Sequence, residues 1–344
     1  MDRKRLLILF GGCSSEHEVS LQSAHAVLSH LDSSRFEAIP VGITRAGEWL
    51  FLGQRWETMM DVEWDGIPCT PALSRGSRAL LLLDGASRQL PLDAAFPILH
   101  GKNGEDGTVQ GACELAGLPL IGCGTLASAL CMDKSRAHCL AAAAGIRVPK
   151  SVSFTRSCTG AEIRSAAQTL GYPLFVKPLR SGSSFGITRA EQPEQLPKAL
   201  ETAFAHDTEI VLEEAIPGFE VGCAIMGNET LTVGAVDEIE LSAGFFSYDE
   251  KYTLKSAKVH CPARIPSSAA EAVKQAAVKI YRALGCRVMA RVDLFLTPSG
   301  EIVFNEVNTI PGFTAHSRYP SMMREIGIPF EELVTRLIEL GVQP

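Results

Sequence analysis

Leu6-Leu-Ile-Leu-Phe10, then Gly11-Gly12, then Ser15-Glu16-His17-Glu18, with Leu21, Ala24, Val27, Leu28 and Leu31 following, is the stretch that decides the fold class. Five apolar residues without polar alternation predict a strand buried on both faces, and the glycine pair ends it. Ser15 and Glu18 have the spacing of a helix capping box, and the apolar residues after them recur at helical intervals. Strand, glycine turn and helix in this order point to a doubly wound α/β domain. Further strands are expected at 38–43, 79–83 and 94–99, which carries the first domain, 1–122, to its end.

A second domain, 123–214, is expected from an alanine-rich helix at 135–144, strands at 173–178 and 210–214, and the loop Arg180-Ser-Gly-Ser-Ser-Phe-Gly186 between them. A third, 215–344, has β-rich stretches at 220–226 and 231–241, a polar and aromatic segment at 242–256, an amphipathic helix at 269–284, and strands at 288–296 and 301–308. No repeat or low-complexity linker divides the chain, so tight packing of the three is expected.

A chain of 344 residues, 46% apolar and 21% charged, needs no staples to bury its cores. The net charge of −7 argues against a general nucleic-acid or anionic-membrane binder. Ten cysteines with no CxxC pair and no zinc spacing read as reduced thiols of a cytoplasmic protein. The basic start followed by Leu6–Phe10 superficially resembles a secretion signal, but its apolar run is shorter than the ~7–15 residues of a signal core. No segment approaches the ~18 apolar residues of a membrane span.

The most informative chemistry lies in Arg291-Val-Asp293 and Asn305-Glu-Val-Asn308. Side chains alternate along a strand, so Arg291 shares a face with Asp293, and Glu306 with Asn308. A two-residue hairpin turn at Ser299-Gly300 would set Asp293 opposite Glu306 and Arg291 opposite Asn308. Val303, Asn305 and Val307 would then share the other face, with Asn305 a polar interruption. Facing carboxylates repel unless a cation lies between them. Oxygen ligands of the Asp, Glu and Asn type suit Mg²⁺ on nucleotide phosphates; the plain alternative is a solvated polar sheet face.

The loop 180–186, preceded by Phe175-Val-Lys177-Pro178, is not a Walker A loop, because it lacks Gly-Lys-Ser/Thr and a strand is expected to follow. Its small residues can turn N–H groups and hydroxyls toward phosphate, with Lys177 adding charge; an ordinary flexible hairpin is the alternative. His100-Gly-Lys-Asn-Gly-Glu-Asp-Gly-Thr108 ends an apolar strand, where open α/β sheets place ligands, although His100 can equally serve as a turn donor. Glu16 can simply favour the first turn of its helix through the dipole.

Together these strings resemble the ATP-grasp superfamily and, within it, the D-alanine–D-alanine ligase family. The matching series is Gly11-Gly-Cys-Ser-Ser-Glu-His-Glu-Val-Ser20, Leu99–Thr108, Cys131-Met-Asp-Lys134, Phe175–Pro178, Ser181-Gly-Ser-Ser-Phe-Gly186, Arg291–Asp293, Asn305–Asn308 and Pro311-Gly-Phe-Thr-Ala-His-Ser317. Each is weak alone; in order along nearly the whole chain they are specific.

The resemblance implies a three-domain ATP-grasp fold and a cytoplasmic, homodimeric enzyme that uses ATP and two Mg²⁺ ions, or Mn²⁺, to join D-alanine to a second D-amino acid. It implies Lys134, Lys177 and Ser184 on the ATP phosphates, Glu213 and Glu220 on adenine and ribose, and Phe245 in the adenine pocket. Asp293, Glu306 and Asn308 would hold the metal. Glu16, with Val19 and His100 nearby, would bind the first substrate's ammonium, in a hydrogen-bonded set with Ser183 and Tyr252. Lys251 would reach the transferring phosphate, while Arg291 and the Gly312 N–H stabilise the oxyanion. Ser317 and Arg318 would meet the second substrate's carboxylate, and 242–256 would form a lid. Ligases that use D-lactate carry histidine in place of Tyr252, so Tyr252 points to an amino acid. The vancomycin-resistance ligases, including the D-serine-using G-type, are also similar at Phe219–Ala224 and Ser317–Pro320, which leaves D-alanine and D-serine as alternatives; another ATP-grasp carboxylate–amine ligase, which would keep Lys177, Asp293, Glu306 and Asn308 but not need Glu16 or His100, is the further one.

Overall fold

The computed structural model describes residues 3–60, 64–86, 88–182, 185–241 and 257–343. Ser183, Ser184, Phe245, Lys251, Tyr252 and the expected lid at 242–256 lie outside the described residues.

The opening apolar run forms β1 (Lys4–Gly11), with Leu6 to Phe10 fully buried. Leu6, Ile8 and Phe10 pack with Leu21, Ala24, Val27 and Leu28 of α1 (His17–Ser29). β2 (Phe36–Ile43) lies parallel beside β1. Beyond it the sheet continues through antiparallel β3 (Trp49–Phe51), β4 (Ile67–Pro71), β5 (Ala79–Leu82) and β6 (Gln89–Pro91). β7 (Ala94–Ile98) lies parallel to β1 on its other side. Leu7 and Leu9 cluster with Val109 and Cys113 of α2 (Thr108–Leu115). The odd and even residues of one strand thus feed two cores, which is why the run carries no alternation. Parallel neighbours on both sides of β1 make its carboxyl end a switch point, where ligands collect.

The expected capping box is absent. α1 starts at His17, with Glu16 in the capping position and no side-chain cap. Ser14 takes the local bonds instead: it accepts the Glu16 N–H at 3.2 Å and donates to the His100 carbonyl at 2.7 Å.

Helices α3 (Thr125–Met132) and α4 (Lys134–Ala143) lead to a second sheet of β8 (Ser151–Thr155), β9 (Leu174–Pro178), β10 (Thr188–Ala190) and β11 (Glu209–Glu214), all antiparallel. Its covering helices are α5 (Gly160–Leu170) and α6 (Leu196–His206). The loop after Lys177 therefore connects two strands, as expected.

The third sheet has the order β14-β13-β12-β15-β16, with β12 (Phe219–Gly227), β13 (Leu231–Leu241), β14 (Ala257–His260), β15 (Val288–Leu296) and β16 (Ile302–Asn308). α7 (Ser267–Ala283) buries Val273, Ala277 and Ile280 among Val221, Cys223 and Val292. Tyr319 and Met322 of α8 (Arg318–Arg324) and Leu333 and Leu337 of α9 (Phe330–Gly341) join the cluster that holds β1 and α1. The first and third sheets therefore share a core. Among the described residues, no helix is long and apolar enough to cross a membrane.

The hairpin β15–β16 reaches the expected pairing by another route. Thr297 N–H bonds to Glu301 O and Gly300 N–H to Thr297 O, each at 2.9 Å, so the turn is three residues long. That turn alone would set Asp293 opposite Asn305. A bulge at Asn305 inserts one residue, pairing Leu294 with Phe304 but Asp293 with Glu306 and Arg291 with Asn308. The apolar face accordingly carries Ile302, Phe304 and Val307, not Val303, Asn305 and Val307. The polar interruption in the sequence is the bulge itself.

Candidate active site

One row across the third sheet reads Asp237, Gly222, Asp293, Glu306 on β13, β12, β15 and β16. Asp293, 1% exposed, accepts a fork from Arg291 (Nε to Oδ1 2.9 Å, Nη2 to Oδ2 2.8 Å) and the Asn308 amide at 2.8 Å. Arg318 reaches across the same row. Its Nε and Nη2 donate to Asp237 at 2.7 and 2.8 Å, its Nη1 to Glu220 at 2.8 Å, and its Nη2 lies 3.4 Å from Asp293. Two largely buried guanidiniums thus hold the three carboxylates of Asp237, Asp293 and Glu220, the pairing that buried charge requires. Gly222 makes room for it: a Cβ there would lie 2.4 Å from Arg318 Nη2 and 2.6 Å from Asp237 Oδ1. Asp237 is fully buried and was missed in the sequence, where it is one acidic residue in a long β stretch. The clue available was its place inside a long β stretch with Val233, Ala235, Val236 and Ile239.

On the second sheet, Lys177 Nζ lies 2.5 Å from Glu213 Oε1. Both residues are buried, and Glu213 Oε2 has no hydrogen-bond partner among the described residues. A buried carboxylate oxygen left open in this way fits a donor supplied by a ligand, as an adenine amine would be. Lys134, at the start of α4, donates to the Ser181 carbonyl at 2.7 Å, which draws the glycine–serine loop toward it. His138, one turn further on, was missed. Its Nε2 donates to the carbonyl of the bulge residue Asn305 at 2.8 Å. Burial pushes its imidazole below the ordinary value, against the pull of Glu213.

At the switch point of the first sheet, Glu16 is 6% exposed. Its Oε2 would stand 2.8 Å from a Cβ at Gly101 and 3.2 Å from one at Gly182. Glycine at both positions lets the His100 loop and the loop of the second sheet approach one carboxylate. Val19 is half-buried one turn along α1. His100 Nδ1 lies 3.0 Å from Ile310 O, and the Ser317 hydroxyl bonds Thr314 beside Gly312. A small cavity lined by Glu105, Lys134, Ser181, Gly182, Glu306 and Asn308 joins the three sheets.

Glu105 was not singled out in the sequence. It accepts the Gly101 N–H at 2.9 Å and the Ile310 N–H at 3.2 Å. Burial, and then the charge of Glu16, push its carboxyl up to about 8. A raised value means that the fold favours the protonated form. That contribution is complete below the ordinary 4.5 and is lost as pH rises through about 8. Glu105→Gln removes this titration, so melting of the metal-free variant falls less between about pH 5 and about 8.5 than melting of the parent does. Parallel melting curves would contradict the assignment.

Among the described residues, no three His, Cys, Asp or Glu side chains come together as a metal site. The metal candidates are two carboxylates and an amide. Asp293, Glu306 and Asn308 are hard oxygen donors on neighbouring strands, a set that fits Mg²⁺ shared with phosphate oxygens.

A family model described as "D-ala D-ala ligase N-terminus" matches residues 5–123, and one described as "D-ala D-ala ligase C-terminus" matches 140–339. The chain belongs to the D-alanine–D-alanine ligase family. A D-alanine–D-alanine ligase of Caldicellulosiruptor bescii is 41% identical, covering 100% of this chain and 96% of that one. The vancomycin B-type resistance protein VanB of Enterococcus faecalis is 43% identical, covering all of both chains. Among solved structures, the VanG D-Ala:D-Ser ligase from Enterococcus faecalis superposes with a TM-score of 0.91 at 53% identity, over 99% of this chain and 100% of that one. This family member is an ATP-dependent ligase of ATP-grasp fold that acts on D-amino acids and uses ATP with magnesium.

Proposed function

We propose that this enzyme phosphorylates D-alanine and joins the D-alanyl phosphate to a second D-alanine, making the dipeptide precursor of peptidoglycan. The observation that carries the reading is the row Asp293–Glu306, with Arg291 beside Asp293 and with Glu306 and Asn308 lining the cavity shared by Glu105, Lys134 and Gly182. A carboxylate and a protonated amine do not condense at neutral pH. In the first step a D-alanine carboxylate oxygen attacks the γ-phosphorus of ATP and ADP leaves. Lys134 and Lys177 neutralise phosphate charge, Ser184 caps it, and Lys251 meets the transferring group. Magnesium, two ions or manganese in their place, supplies charge neutralisation when held by Asp293, Glu306 and Asn308. Glu213, Glu220 and Phe245 hold the nucleoside; the open oxygen of Glu213 supports this for adenine, whereas Glu220 is engaged by Arg318.

Glu16 binds the ammonium of the first substrate, with Val19 and His100 beside it and Ser183 and Tyr252 bonded to it. The second amine then attacks the carbonyl carbon and phosphate leaves. Arg291 and the Gly312 N–H receive the oxyanion, and Ser317 and Arg318 receive the second carboxylate. The segment 242–256 covers the acyl phosphate against water. The domains are 1–122, 123–214 and 215–344, and the enzyme works as a cytoplasmic homodimer.

A second reading, D-serine as the second substrate, is favoured by one observation. The solved VanG D-Ala:D-Ser ligase is 53% identical over 99% of this chain. A hydroxyl added to a substrate is rejected only ~10²-fold by a pocket not built for it. Competition between D-alanine and D-serine at equal concentration, with dipeptides resolved by mass, separates the two. Mainly D-alanyl-D-alanine is expected; mainly D-alanyl-D-serine would replace the first reading by the second.

A further inference from the structure

Ser23 lies on the buried side of α1, fully enclosed, at a point where the first and third sheets meet. Its Oγ accepts the Phe313 N–H at 3.1 Å, the peptide next to Gly312. The same oxygen lies 3.4 Å from His100 Nε2, while His100 Nδ1 lies 3.0 Å from the Ile310 carbonyl. A carbonyl only accepts, so Nδ1 carries the proton. In the neutral ring Nε2 is then an acceptor, and the Ser23 hydroxyl donates to it. Burial holds the ring neutral by pushing its pKa below the ordinary value, with Glu16 opposing and Arg291 assisting.

We infer that Ser23 and His100 form a positioning relay that fixes the 310–313 loop, and with it the Gly312 N–H, against the site of the first D-amino acid. The inference rests on the reading that Gly312 serves the oxyanion. Each bond crosses from the first sheet's unit to the third's: His100 to Ile310, and Ser23 to Phe313. The loop follows β16 directly, so the same bonds fix the exit of the strand that carries Glu306 and Asn308. An oxyanion donor must be aimed before charge develops, and a displacement of about 1 Å costs up to ~10²-fold in rate. Ser23 is a positioning residue here, acting through His100 and the Phe313 peptide without touching substrate.

The test uses the full-length enzyme. Ser23→Ala keeps the helix and removes the bonds of its hydroxyl to His100 Nε2 and to the Phe313 N–H. The expected result is a fall in kcat of about 10- to 100-fold, with KM for the first D-alanine and ATP affinity within about threefold of the parent, and partial recovery in Ser23→Cys. Unchanged kcat would overturn the relay, and so would a fall in all kinetic constants that tracks a fall in melting temperature, since that marks only a core residue. ¹⁵N-histidine NMR of the parent, assigned with His100→Gln, gives a readout that needs no turnover. A neutral ring protonated at Nδ1 supports the relay, and protonation at Nε2 overturns it. If the parent forms no ADP with any D-amino acid, the ligase reading fails, while the tautomer still decides the hydrogen-bond pattern.

Discussion

Arg291→Ala lowers kcat by about 10²- to 10³-fold, the loss typical of removing one preorganised oxyanion donor, ~2.7–4 kcal/mol of barrier. Asp293 aims the guanidinium through two hydrogen bonds and is itself buried. The variant remains folded, because Asp293 keeps the Asn308 amide and the nearby Arg318. The stability loss therefore stays below the ~3–5 kcal/mol of an orphaned buried charge. Arg291→Lys restores charge without the fork and recovers only part of the rate. Steady-state ADP formation beside melting curves checks this, and near-normal kcat in Arg291→Ala would remove Arg291 from the chemistry.

Lys177→Met has the opposite signature, loss of turnover together with loss of stability. Among the described residues, Glu213 would become a buried carboxylate with neither oxygen paired, since Oε1 relies on Lys177 and Oε2 already has no partner there. Breaking such a pair costs ~3–5 kcal/mol, a loss that a melting curve resolves as a drop of several degrees or more. Lys177→Met with Glu213→Gln neutralises the stranded charge and recovers most of the melting temperature, but not ADP formation. An inactive, fully stable single variant would mean that the pair carries no structural load.

The first sheet's central strand was legible because burial on both faces leaves a continuous apolar run. The short strands β3, β4 and β6 were not, since three to five residues give no periodicity. Ser15 and Glu18 had the spacing of a cap, yet Ser14 bonds the Glu16 N–H and the His100 carbonyl while Glu18 pairs with Arg45; a spacing rule cannot see a neighbouring loop. The expected pairing of Asp293 with Glu306 and Arg291 with Asn308 holds for another reason: a three-residue turn and the bulge at Asn305 each shift the register by one, and the shifts cancel beyond the bulge. Asp237, His138, Glu105 and Ser23 were missed for a shared reason. Each acts by meeting residues distant in the chain, as Ser23 meets Phe313 and His138 meets Asn305. Single polar residues on otherwise ordinary elements carry no local signature of that.

The central claim is activation of a D-amino acid carboxylate by phosphoryl transfer. It is tested most directly with D-alanine labelled by ¹⁸O in both carboxylate oxygens, incubated with the enzyme, ATP and Mg²⁺, and the released inorganic phosphate analysed by mass. Attack of the carboxylate on the γ-phosphorus predicts one ¹⁸O transferred to phosphate for each dipeptide formed, and no ADP when L-alanine replaces D-alanine. Phosphate free of ¹⁸O, or ADP formed without a D-amino acid, would contradict the account.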